Sequence, residues 1–231
     1  MTVLMIGDVV GSPGRRILKR ELKKLKSSYA ASAAIVNAEN CAAGSGITES
    51  LAKEIFEAGA DAITLGDHTW GQKEFAGQIG KIPNLVRPAN FSSECPGNGW
   101  CLVTLASFRF AVLNLQGRVF MQSVDCPFKA ADAALKEIPS DVPVFVDFHA
   151  EATSEKIALA RYFDGRINII FGTHTHVPTA DEQILPRGTA YITDLGMTGP
   201  TDGILGTATA AVLYRMRTHM PTRFTVAEGP I

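Results

Sequence analysis

Four of the five histidines lie in three short segments, Gly66-Asp67-His68, Asp147-Phe148-His149 and Gly172-Thr173-His174-Thr175-His176. Asp8 and Glu39-Asn40 stand in comparable places earlier in the chain. Imidazoles and carboxylates gathered without a thiolate form a donor set for manganese, iron or zinc. Three imidazoles and at least three side-chain oxygens exceed the three or four protein ligands of a usual single catalytic zinc. Two ions sharing a bridging carboxylate would use the whole set. Such a pair, about 3.5–4 Å apart, activates water and clamps the oxygens of an in-line displacement, typically on phosphorus. The chemistry indicated is phosphoester hydrolysis.

The elements that must position these residues can be read from the apolar runs before them. Asp8 follows Val3–Gly7, Glu39 follows Ala34–Asn37, and Asp67-His68 follow Ile63–Gly66. His149 follows Val144–Asp147, and His174 and His176 follow Ile169–Gly172. Ligands of an α/β sheet gather beyond the carboxyl ends of its strands, so five strands would feed one edge. Gly7, Gly66 and Gly172 allow sharp turns there.

Blander readings stand beside this one. Asp8 alone could merely cap a turn. His174 and His176 alternate along an extended segment, so a shared pocket requires a local kink, and one of them could instead pack in the core. His219 reads as a surface residue, and Gly44-Ser45-Gly46 as a plain turn rather than a phosphate cradle. Arg87, Arg118 and Arg161 are more simply structural ion-pair partners than phosphate ligands.

The first ninety residues alternate strand and helix. Strands are expected over Thr2–Gly7, Ala33–Asn37 and Ala62–Leu65. A helix is expected from an N-cap at Ser12, with Pro13 following, to about Ser27; a second is capped by Thr48 and stopped by Gly59; a third covers Gln72–Ile79. Trp100–Leu105 and Phe108–Leu115 then read as a hairpin across Ala106-Ser107. Helices over Pro127–Ile138, Ser154–Phe163 and Thr207–Met216 alternate with strands over Val142–Phe148, Ile167–Phe171, Thr189–Thr193 and Arg223–Ala227. The expected class is α/β, a mixed sheet or two sheets packed face to face under outer helices, in one domain over residues 1–231.

Composition is ordinary for a folded protein, with 46% hydrophobic and 19% charged residues in 231. A formal net charge of −1 gives no electrostatic case for stable nucleic-acid binding. The one basic run, from Arg15-Arg16 through Lys19-Arg20 to Lys23-Lys24-Lys26, reads as a solvated helix face. Cys41, Cys95, Cys101 and Cys126 include no C-x-x-C pair, which suits reduced thiols in the cytoplasm. Cys41 adjoins Asn40 and is either a packing residue or an oxidation-sensitive neighbour of the metal site. Neither a signal-peptide pattern nor an apolar stretch of membrane-spanning length is expected, and a homo-oligomer is a reasonable prior.

With these motifs in view, the sequence resembles the bacterial YmdB-like metallophosphoesterases of the calcineurin-like superfamily. The resemblance runs from Met5-Ile6-Gly7-Asp8-Val9-Val10-Gly11-Ser12-Pro13 to Arg223-Phe224-Thr225-Val226-Ala227-Glu228-Gly229. Leu85-Val86-Arg87-Pro88-Ala89-Asn90-Phe91 and Asp147-Phe148-His149-Ala150-Glu151-Ala152 lie between. It implies a four-layer αββα sandwich hydrolysing 2′,3′-cyclic nucleotides by attack of a metal-bridging hydroxide. Carried over by residue, Asp8, Asn40 and His176 would serve one metal, and Asp67, His149 and His174 the other. Glu39 would bridge both, and His68 would be the general acid. Iron or manganese is the expected pair, with zinc an alternative. The other readings are a phosphomonoesterase on the same metals, a metal- or nucleotide-binding regulator with weakened catalysis, and a protein with a single structural zinc.

Two departures qualify the resemblance. The family carries asparagine where this chain has Asp67. A carboxylate only accepts hydrogen bonds and adds negative charge beside an anionic substrate, which predicts tighter metal binding, slower turnover or a preference for a more highly charged metal pair. Family members also continue beyond Pro230-Ile231 with strand-forming residues, so one sheet is expected to end early or an oligomer contact to be absent.

Overall fold

In the computed structural model, which describes residues 2–106 and 108–231, the alternating apolar runs become two sheets facing each other. The first is parallel and contains β1 (Val3–Ile6), β3 (Ala33–Asn37), β4 (Ala62–Thr64) and β5 (Leu85–Val86), in that order. The short β2 (Asp8–Val9) leaves the line of β1. Helices α1 (Gly11–Ser28) and α2 (Glu49–Ala58) cover the outer face of this sheet.

The second sheet has six strands. β6 (Trp100–Thr104), β7 (Arg109–Gln116), β8 (Val144–His149), β9 (Ile169–Thr173), β10 (Gln183–Ile184) and β11 (Ala190–Ile192) are ordered β10-β11-β9-β8-β7-β6. Helices α3 (Pro127–Glu137) and α4 (Thr153–Tyr162) cover its outer face. The layers therefore run helix, sheet, sheet, helix. β12 (Met197–Thr198) and α5 (Thr209–Thr218) complete the elements.

Strand alternation divides the core into three zones. On β7, Ala111, Leu113 and Leu115 face the helices, whereas Phe110 and Val112 face the other sheet. Phe145 and Phe171 join Phe110 and Val112 there, against Ile35 and Ala62 of the parallel sheet. The basic run lies along α1, whose buried stripe includes Leu18 and Leu22 while most of its cations are exposed. No helix among the described residues is long and apolar enough to cross a membrane.

The hairpin forms with Trp100 opposite Leu113 and Thr104 opposite Arg109; Ser107 of its expected link lies outside the described residues. Three local expectations fail. Ser12 does not cap α1, which starts at Gly11 with the Gly11 N–H bonded to the Asn40 carbonyl. Gln72–Ile79 resolves into two 3-10 turns, Lys73–Gly77 and Ile79–Lys81, a stretch that Gly77 and Gly80 weaken as a helix. Arg223–Ala227 is not a strand: Val226 makes one isolated bridge to Thr207, and the segment spends its backbone bonds on the 206–208 loop.

Candidate metal centre

Every proposed ligand reaches the site at or just beyond the carboxyl end of a strand. Asp8 opens β2, which pairs with β12 rather than with either large sheet. Glu39 and Asn40 follow β3, where the Asn37 side-chain oxygen accepts the Glu39 N–H at 3.2 Å. Asp67 and His68 follow β4 through Gly66, whose missing Cβ leaves room for the His149 ring and the Glu39 carboxylate. His149 ends β8. His174 and His176 follow β9 with φ of 99° and 65°, which is the kink that an extended run would need to turn both inward.

Four ligand groups converge. One donor atom each from Glu39, Asp67, His149 and His174 lies within 4.8 Å of all the others. The His149 Nε2 is 3.1 Å from Glu39 Oε1 and 3.0 Å from both Asp67 Oδ1 and His174 Nδ1. His174 Nδ1 is 3.3 Å from Asp67 Oδ1. Ligands about 2.0–2.2 Å from a shared ion stand roughly 3.0–3.5 Å from each other, so this spacing fits one transition metal.

A second group lies beside it. His176 Nε2 is 3.2 Å from Asn40 Oδ1 and 3.9 Å from Asp8 Oδ1. Asp8 is fully buried, and its Oδ1 has no hydrogen-bond partner. A buried carboxylate oxygen without a donor is costly, and a cation would satisfy it. The chemistry of this second group therefore also fits a cation.

The local electrostatics describe the same demand for positive charge. Burial pushes the Asp8 carboxyl up, despite His149 and His176 nearby. Burial also opposes ionisation of Glu39 and Asp67, but contacts with His149 outweigh it and hold both well below the usual carboxylate range. His149 is pushed the other way: burial lowers its affinity for a proton, yet Glu39 and Asp67 raise it well above the ordinary value.

His68 stands at the edge of this cluster. Glu39 accepts its backbone N–H at 2.9 Å through Oε2, and Glu39 Oε1 is 3.1 Å from its Nδ1. That hydrogen bond raises its proton affinity, partly offset by burial. The side chain is 42% exposed and lines a cleft of about 680 Å³ with His174, His176, Glu151 and Phe224.

Other residues read from the sequence fall elsewhere. His219 is exposed at the end of α5. Arg87 is buried, donating to the carbonyls of Pro88, Cys95 and Pro96 at 2.8–3.0 Å rather than to a carboxylate. Cys41 is buried packing, its thiol pushed up to about 12 by burial. Glu151 escaped the sequence reading, although its Oε2 lies 3.3 Å from His174 Nε2. So did Lys156, although it precedes buried Leu159, Ala160 and Phe163 by three, four and seven residues, on the apolar stripe of α4.

A family model described as "YmdB-like protein" matches residues 4–231. The chain is 54% identical over 230 residues to the 2′,3′-cyclic-nucleotide 2′-phosphodiesterase of Bacillus subtilis, covering 99% of this chain and 87% of that one. A hypothetical protein from Thermus thermophilus superposes with a TM-score of 0.94 at 41% identity, over 99% of this chain and 89% of its own. A phosphatase from Mycoplasma pneumoniae gives 0.92 at 37% identity, over 98% and 83%.

Proposed function

This chain belongs to the YmdB-like family, and from that premise we propose that it is a dimetal phosphodiesterase opening 2′,3′-cyclic nucleotides or similarly small phosphodiesters. The relative from Bacillus subtilis supports a hydrolase of phosphoric diesters. One observation carries the reading: Glu39, Asp67, His149 and His174 converge, and Glu39 and His174 line one cleft together with His68. We read residues 1–231 as one domain, since the two sheets share the core around Phe110, Phe145 and Ile35.

Asp67, His149 and His174 would hold one ion, Asp8, Asn40 and His176 the other, with Glu39 common to both. When bound, such a pair supplies a nucleophile from water near neutral pH and draws charge from the phosphoryl oxygens. Iron or manganese suits these donors, and zinc is compatible with them. Glu39 orients His68 through both its backbone N–H and Nδ1, leaving Nε2 for the cleft. As the water oxygen bonds to phosphorus and the P–O2′ bond breaks, the departing ribose oxygen takes its proton from His68. The product carries a 3′-phosphate. A ribose alkoxide is a poor leaving group, so a positioned acid contributes roughly 10²–10⁴-fold.

The test is turnover of 2′,3′- and 3′,5′-cyclic nucleotides by protein loaded with manganese or iron, with product identified and metal counted. His68→Ala should lose activity by roughly that factor at unchanged metal content. Hydrolysis of monoesters but of no diester would overturn the reading. Nucleotide binding without hydrolysis would favour the regulator instead.

A further inference from the structure

A buried polar layer lies beneath the ligand cluster, between the sheets. Asn37, Thr64, Asp147, His149 and Thr173 are all 0% exposed. The Thr173 hydroxyl is 2.6 Å from Asp147 Oδ1 and 2.9 Å from His149 Nδ1. Asp147 Oδ2 accepts from the Asn37 amide at 3.0 Å and from the Thr64 hydroxyl. We propose that Asp147 and Thr173 form a relay that fixes the tautomer of His149, making Thr173 a positioning residue for the metal centre.

The number of available protons fixes which groups donate and which accept. Asp147 already takes two donors on Oδ2, the Asn37 amide and the Thr64 hydroxyl, and a threonine hydroxyl has one proton to give. At 2.6 Å from Asp147 Oδ1, that proton must point at Asp147, because two oxygen lone pairs at this distance repel. The Thr173 oxygen is then left to accept, and the Asn37 amide aims at it as well, at 3.4 Å. His149 Nδ1 must therefore carry its hydrogen towards Thr173. In the neutral ring Nε2 is then bare, and it faces Glu39 Oε1, Asp67 Oδ1 and His174 Nδ1 at 3.0–3.1 Å. A bare nitrogen among carboxylate oxygens is stable only around a cation. The buried relay thus orients the donor before any ion arrives. Partners of this kind typically change metal affinity about 10–100-fold.

The inference rests on the metal centre proposed above, and the experiment separates the two. Manganese affinity is measured for the wild type, Thr173→Val and Thr173→Ser, by elemental analysis after dialysis against buffered metal. Thermal unfolding of each chelated protein is followed alongside. Thr173→Val keeps the shape and removes the hydroxyl, so manganese should bind roughly 10–100-fold more weakly. Thr173→Ser should restore wild-type affinity, which a purely structural role for the methyl group would not do. If Thr173→Val fails to fold, Asp147→Asn becomes the comparison, with the same weakening expected although residue 147 is not among the proposed ligands. Wild-type affinity in the folded variant overturns the relay; a wild type that takes up no metal overturns the centre itself.

Discussion

Lys156 and Asp194 form an ion pair at 2.6 Å with both side chains only 1% exposed. The Lys156 ammonium also donates to the Thr173 carbonyl at 2.9 Å. Asp194 accepts the Thr175 N–H at 3.2 Å, the Thr175 hydroxyl at 2.9 Å and the Gly196 N–H at 2.8 Å. The pair therefore ties α4 to the backbone on both sides of His174. Removing one member of a buried pair leaves an uncompensated charge, which costs about 3–5 kcal/mol. Lys156→Met should lower unfolding stability by that amount in a denaturant titration, and manganese affinity should fall with it.

Asp67→Asn tests the departure that the resemblance implies at this position. The carboxylate lies 3.0 Å from His149 Nε2 and 3.3 Å from His174 Nδ1. An amide oxygen keeps the position with less charge. The variant should hold metal more weakly and turn over cyclic nucleotide faster, read from metal content and kcat. Unchanged values for both would remove any special role for the carboxylate.

Metal and proton should compete for His149. Its folded-state proton affinity is raised well above the ordinary 6.5 by Glu39 and Asp67, against the effect of burial. In the chelated protein this protonation contributes stability that is complete below about pH 6.5 and is lost as pH rises through the raised value. Metal requires the neutral ring, so its affinity should increase with pH over the same window and loading should release a proton. Titrating chelated protein with manganese in weak buffer reads the release directly; a pH-independent affinity with no acid liberated would contradict this.

Two cysteines should stay silent. Burial pushes the thiols of Cys41 and Cys101 up to about 12, so neither forms the reactive thiolate near neutrality. Iodoacetamide at about pH 8, near the ordinary thiol range, followed by peptide mass spectrometry should leave both unmodified in the folded protein. Labelling of Cys41 would revive the idea of an oxidation-sensitive neighbour to the site.

The placement of the candidate ligands was legible because each follows a strand whose apolar run marks its own end, as with Ile169–Thr173 before His174. The layering was legible as two alternatives, and the two-sheet form is the one found. What the sequence withheld depends on contacts distant along the chain. The Asp147 relay needs Asn37, which is 110 residues away. Lys156 looked like an ordinary helix lysine because its partner lies 38 residues on. Arg223–Ala227 has the composition of a strand but lacks a sheet neighbour, and β propensity depends on that packing context.

The left-handed backbone at His174 and His176 bears on how the centre assembles. Non-glycine residues adopt this region at a cost of order 1–3 kcal/mol each, and the surrounding structure must hold them there. Here the Asp8 carboxylate accepts the His174 N–H at 3.2 Å, and the Leu205 carbonyl lies 3.0 Å from His176 Nδ1. Asp8 and Leu205 thus brace the turn that brings the two imidazoles to one side. A turn braced in this way would discriminate against ions whose radius or preferred coordination required the two segments to part.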